Sequence, residues 1–191
     1  MKVLIITTES QIYRDMTLKR RRSKKLLKNM VADLEETSEG ILIAGKKYGG
    51  VANDVYYGRL REVITFYHEL EDKGINIDLV ILSSLYEIVE PYDTILPYWT
   101  RSGKLSITNI PNKIKNYIQS ADKIILLIDS QYLFKFTNEL SSLLKCKKIA
   151  IVSAGRASNA LLITADLYLS VPGVARIGLN NKKILKKWIS Q

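Results

Sequence analysis

Residues 52–99, ANDVYYGRLREVITFYHELEDKGINIDLVILSSLYEIVEPYDTILPYW, decide the fold class. The first half sets Tyr56, Leu60, Val63, Ile64, Tyr67 and Leu70 on one stripe at helical spacing, with Asp54 as the expected N-cap. Gly58 within it costs about 1 kcal/mol relative to Ala. It points to close packing or to a helix that starts near Arg59. Lys73-Gly74 supplies the stop. Residues 77–83 (IDLVILS) are then a near-continuous apolar run, the pattern of a strand buried on both faces of a parallel sheet.

The same alternation extends in both directions. Short apolar runs at 2–7 (KVLIIT), 40–45, 121–129, 148–153 and 165–171 read as strands. Helical spacing is expected over 26–36, 109–119, 130–144 and 180–190. Strands alternating with helices predict an α/β fold: a single three-layer α/β/α domain over residues 1–191 with a mainly parallel sheet. Residues 14–25 are expected to form a mobile basic segment of that domain.

The chain has 191 residues, 47% hydrophobic and 25% charged, a globular composition. No apolar run reaches the roughly 18 residues of a membrane helix, and the first apolar run is too short for a signal-peptide core. Cys146 is the one cysteine and cannot form an internal disulfide, so the expected location is cytoplasmic, with no membrane partner. A formal charge of +10 favours polyanionic partners, nucleic acid (RNA or DNA) first among them; solubility alone is the plainer explanation.

Open α/β sheets bind ligands beyond the carboxyl ends of their strands, which directs attention to two exits. The first strand leads into Thr8, Glu9 and Ser10. The strand at 77–83 leads into Ser83, Ser84, Tyr86, Glu87, Glu90, Tyr92 and Asp93, bracketed by Pro91 and Pro97 and followed by Tyr98 and Trp99. Hydroxyls, phenols and carboxylates together suit a nucleobase or nucleoside. Tyr56, Ser83, Tyr86 and Tyr98 are the expected contacts. Glu9, Asp54 and Asp93 are the candidate acid–base carboxylates, although Glu9 also reads as a solvated loop acid, Asp54 as a helix N-cap and Asp93 as part of a polar exit loop whose aromatics pack for stability. Tyr98 and Trp99 either stack on a base or cover the core.

Arg20, Arg21, Arg22, Lys24 and Lys25 are expected to grip phosphates, or else to form a solvated face. The small-residue turn at 153–159 is a weaker phosphate seat, with Arg156 and Ser158 as its contacts. It matches neither the Walker loop nor the dinucleotide fingerprint. His68 is the only histidine and no cysteines cluster, so neither a metal site nor a cofactor is expected.

Three stretches carry a resemblance. Ala52, Asp54, Tyr56 and Gly58 match an Ala-x-Asp-x-Tyr-x-Gly pattern. Ile81, Leu82, Ser83, Ser84, Tyr86, Ile88 and Val89 match a strand-exit motif in which Glu87 replaces the usual Gly. Ile95, Pro97 and Tyr98 match an Ile-x-Pro-Tyr-Asp motif in which Trp99 replaces the acid. In these stretches the chain is similar to the YaaA-like proteins. More distantly it resembles an accessory domain of archaeosine-synthase-type relatives of tRNA-guanine transglycosylase. Glu9 and Ser10 stand roughly where that family carries Cys-Ser. The resemblance covers about half of the chain. It implies an α/β fold similar to uracil-DNA glycosylases and a link to nucleic acid or base modification.

Three functions follow as expectations. The first is a nucleic-acid-associated protein that holds a base in a cleft for modification. The second is a binding module or subunit without chemistry of its own. The third is a nucleotide or small-metabolite enzyme using the turn at 153–159.

Overall fold

β1 (Lys2–Thr8) occupies the middle of a six-stranded sheet formed by the described residues. The computed structural model describes residues 1–10, 12–13, 34–100, 110–154, 164–171 and 177–191. The basic segment 14–25, including Arg20, Arg21, Arg22, Lys24 and Lys25, lies outside the described residues. So do Arg156 and Ser158.

The sheet order is β11 (Leu167–Val171), β10 (Lys148–Ala154), β9 (Lys123–Leu127), β1, β5 (Asn76–Ser83) and β6 (Glu87–Val89). The first five run parallel and β6 returns antiparallel to β5, so the expected mainly parallel α/β sheet is present. From β1 the chain goes to β5 on one side and later to β9 on the other. The order therefore reverses between β1 and β9, the position at which open α/β sheets form a crevice.

β1 is apolar at every position from Val3 to Ile6, and its alternate residues feed two cores. Val3 and Ile5 pack with Leu60, Val63 and Leu70 of α2 (Arg59–Glu71) and with Leu185 and Trp188 of α6 (Leu179–Ser190). Leu4 and Ile6 pack with Ile114 and Ile118 of α3 (Lys113–Ser120) and Leu133 and Phe136 of α4 (Ser130–Glu139), with Leu144 of α5 (Ser141–Leu144) completing that core. Helices thus cover both faces of the sheet, and outside it β4 (Gly50–Val51) pairs antiparallel with β7 (Thr94–Ile95).

Four sequence expectations are corrected. Residues 26–33 of the helix expected at 26–36 lie outside the described residues, and its expected last turn is not helical: Leu34–Glu36 is β2, antiparallel to β3 (Leu42–Ala44), with Leu34 opposite Ala44. Glu35 and Glu36 would oppose a helix dipole at that end; on the hairpin both are exposed. The helix expected at 130–144 breaks at Leu140 (φ −110°, ψ 11°). Three residues earlier the Thr137 hydroxyl donates to Leu133 O at 2.9 Å, a contact that bends helices. The helix expected from Asn109 begins at Lys113, because a residue before proline avoids helical dihedrals and Pro111 follows Ile110.

The fourth correction bears on the site. Asp54 is not an N-cap. It lies inside a one-turn helix, α1 (Ala52–Val55), whose cap is Val51. Tyr56 is then extended (φ −71°, ψ 144°), and Gly58 takes φ 66° and ψ −133° to start α2. That break takes Tyr56 off the helical stripe and sends it to the carboxyl edge of the sheet. There it pairs with Tyr13 in an isolated antiparallel bridge.

A carboxyl caged by tyrosines at the end of the central strand

Glu9 is the first residue past β1, and its N–H donates to Leu82 O of β5 at 2.9 Å. Sheet pairing therefore continues one step beyond the strand and aims the Glu9 side chain at the β5 exit. Glu9 is 5% exposed. Its Oε2 accepts the Tyr56 hydroxyl at 3.1 Å, and its Oε1 accepts the Ser84 N–H at 3.0 Å and the Tyr98 hydroxyl. Tyr98 belongs to β8 (Tyr98–Trp99), which pairs with β3. Its phenol oxygen also takes the N–H groups of Ser84 (3.0 Å) and Leu85 (3.1 Å) and lies 3.0 Å from Ser83 Oγ. Ser83 Oγ accepts the Tyr86 N–H at 3.1 Å. The β5 exit turn thus aims its backbone donors at one phenol, and that phenol binds the carboxyl.

Around this centre the rings pack on each other. Tyr13 stacks on Tyr56 with centroids 5.8 Å apart and meets Trp99 edge-on at 5.6 Å. Tyr86 meets Tyr98 edge-on at 5.9 Å. Tyr56 and Tyr98 are fully buried. Burial pushes the Glu9 carboxyl up to about 7, against the Ser84 N–H and the Ser83 and Tyr56 hydroxyls, which favour the ionised form. Burial and the nearby Glu9 carboxyl push the Tyr13 and Tyr56 phenols well above their ordinary range. Glu9 is therefore the group in this cluster that changes charge near neutrality, where a general acid–base is most effective.

A second element adjoins Glu9. The Arg59 guanidinium, at the first turn of α2, forms an ion pair with Asp129 just past β9, Nη1 to Oδ1 at 2.7 Å. Its Nη2 donates to Thr8 O at 3.2 Å and approaches Glu9 O and Thr8 Oγ1 at 3.4 Å each. One cation thus spans the carboxyl ends of β1 and β9, where the strand order reverses.

Of the residues expected from sequence, Glu9, Tyr56, Ser83 and Tyr98 meet in one cluster. Tyr86 borders it through its ring, while its hydroxyl is spent on the loop: it donates to Leu96 O at 3.1 Å and takes the Leu96 N–H at 2.9 Å. Asp54 and Asp93 do not join. Asp54 is exposed on α1, and Asp93 is exposed with Oδ2 accepting the Glu90 N–H at 2.8 Å, which serves the turn. Tyr98 and Trp99 are core residues, not free stacking faces. Tyr13, Arg59 and Asp129 were not anticipated. Asp129 had a usable signal, since it ends an apolar strand run just as Glu9 does. No protein-family model, curated protein or solved structure matches the chain.

Proposed function

We propose that this chain is a nucleic-acid-associated protein that takes a nucleobase or nucleoside at the carboxyl edge of its sheet, with Glu9 as the acid–base group. The observation that carries the reading is the Glu9 carboxyl itself, buried at the end of the central strand among the Tyr56 and Tyr98 hydroxyls and the Ser84 N–H, where burial pushes it up to about 7. Such a carboxyl donates a hydrogen bond to a ring nitrogen when protonated and accepts one from an exocyclic amine when ionised. The charge of +10 agrees with a phosphate-bearing partner. The three stretches that resemble YaaA-like domains bring Tyr56, Ser83, Ser84 and Tyr98 to one cluster around Glu9, which supports a base-sized site there.

A second reading has its own observation. The two Glu9 oxygens already take three donors from this chain, which suits a binding module whose buried carboxyl fixes the loops and does no chemistry. One experiment separates the two. Affinity for the four nucleosides and for fluorescent single-stranded RNA and DNA is measured at two salt concentrations, with wild type and with Glu9→Gln. Nucleoside binding that weakens at least tenfold in Glu9→Gln supports the first reading. Salt-dependent oligonucleotide binding that Glu9→Gln leaves unchanged supports the second. No binding to any of these at low salt rejects both.

A further inference from the structure

We infer that Arg59, held by Asp129, is a positioning residue for Glu9: it fixes the backbone from which the carboxyl enters its cage. This rests on the reading of Glu9 as the ligand-facing group. The geometry is direct. The Glu9 N–H is tied to Leu82 O, and its carbonyl and that of Thr8 face the same Arg59 nitrogen. The main chain is thereby held on both sides of the Glu9 Cα. The Arg59 side chain is 9% exposed and the Asp129 side chain 24%, so water screens the pair weakly. Arg59 supplies a planar fork of donors that a lysine cannot reproduce: one arm engages β9 through Asp129 and the other engages β1 through the two carbonyls.

The guanidinium does not bond to the Glu9 carboxyl. Among the described residues, the polar and titratable groups that face that carboxyl are Tyr56 from the stretch before α2, Tyr98 from β8, Ser83 and Ser84 from the β5 exit, and, without a bond, Tyr13 and Tyr86. Arg59 therefore acts on the carboxyl through the backbone, and this gives the test a sign. Loosening the Thr8–Glu9 backbone admits water to the cage and lowers the Glu9 titration midpoint toward an ordinary carboxyl. Removing a nearby cation by itself would raise it.

The test follows the Glu9 side-chain carboxyl carbon by NMR through a pH titration of the ligand-free full chain. Wild type is compared with Arg59→Lys, which keeps the charge and loses the fork, and with Asp129→Asn, which keeps the shape and weakens the hold on the fork. The expected result is a midpoint lower by about one unit or more in both variants. A midpoint that is unchanged or higher in the folded variants overturns the inference. Because Asp129→Asn also removes an anion, which by itself lowers the midpoint, Arg59→Lys decides; should it fail to fold, Arg59→Gln decides instead, since losing the cation alone would raise the midpoint and only a loosened backbone lowers it. Because no ligand is added, the outcome stands apart from whether a nucleoside binds. If one does bind wild type, Arg59→Lys is expected to weaken it about tenfold, in step with the shift.

Discussion

The Tyr56 hydroxyl lies 3.1 Å from Glu9 Oε2, joining two residues 47 positions apart. The contact exists because the helical stretch breaks at Gly58: without the break Tyr56 would continue the α2 stripe, and the carboxyl would lose one wall of its cage. The other wall is Tyr98, 89 residues from Glu9. A carboxyl held between two phenols from distant segments makes the site a joint of the fold, so its titration is read out in stability.

Stability is expected to fall as pH rises from about 4.5 to about 7 through Glu9 alone. The folded carboxyl titrates at about 7 and the unfolded one near 4.5. Below both values each state is protonated, and the stabilisation of the neutral form is fully present. Between them the unfolded chain releases its proton while the folded one keeps it, so stability declines; above both the contribution is gone. The span corresponds to about 3 kcal/mol as an order of magnitude. Urea unfolding of wild type and Glu9→Gln at pH 5, 6, 7 and 8 isolates it, since all other groups cancel in the difference. Glu9→Gln should gain on wild type by a comparable amount from pH 5 to pH 8, and parallel curves would refute the assignment.

Gly58→Ala should destabilise the chain by about 2 kcal/mol, the middle of the range for a non-glycine residue forced into a sparsely populated backbone region. The cause is conformational, not steric. An added Cβ would meet only the Ile12 side chain, at 3.5 Å and beyond, an ordinary contact. The φ of 66° with ψ of −133° is what an L side chain resists. Gly74→Ala, at φ 73° in an exposed turn with nothing within 4 Å, is the matched control. It should cost no more than Gly58→Ala and leave the Glu9 titration unmoved, whereas Gly58→Ala should alter it by displacing Tyr56.

The central strands were legible because burial on both faces leaves a continuous apolar run, as at Val3–Ile6 and Leu79–Leu82, which tolerates no competing period. Leu34–Glu36 was not. Three residues at the end of a helix-like spacing carry no period of their own, and their state is set by the partner Leu42–Ala44 across the turn. At the site, position along the chain identified Glu9, since it directly follows a buried strand. Asp93 follows a buried strand too, but ten residues beyond it, and neither that position nor the residue type of Asp54 says which acid a loop turns inward: Asp93 caps its own turn. Arg59 was invisible for a different reason. Its partner Asp129 is 70 residues away, and its other contacts are backbone carbonyls, which every sequence has.

Tyr98→Phe should shift Glu9 further up and destabilise the fold by about 2 kcal/mol. The phenol gives Glu9 one of its three donors, and losing a donor disfavours the ionised carboxyl. The oxygen also accepts the Ser84 and Leu85 N–H groups. Their remaining acceptors are Glu9 Oε1 at 3.0 Å and Ser83 Oγ at 3.3 Å, and under-satisfied buried donors cost about 1–3 kcal/mol. Tyr56→Phe removes a donor to the carboxyl but no acceptor for these backbone groups, so it should raise the Glu9 midpoint with the smaller loss of stability. Carboxyl-carbon titration and urea unfolding of the two variants check both orderings. Equal stability losses would mean that the Tyr98 oxygen does not anchor the β5 exit.

Far from the site, Lys123→Met should loosen the end of α6 while leaving the sheet intact. Lys123 is a buried β9 residue, 4% exposed, whose Nζ donates to Ile189 O at 2.8 Å and Trp188 O at 3.0 Å. These carbonyls lie in the last turn of α6, where carbonyls lack partners further along the helix and a cation is favoured by the helix dipole. Nζ also sits 5.3 Å from the centroid of the Trp188 ring. Methionine keeps the stem in the core and removes the ammonium, so the loss is the charge-assisted bonds, about 2 kcal/mol. The chain has two tryptophans, so a Trp99→Phe background makes Trp188 the sole emitter. In that background Lys123→Met should red-shift the emission and speed amide exchange in Leu185–Ser190, with exchange in β1 and β5 unchanged. If exchange accelerates equally in β1, the lysine holds the sheet and not the helix end.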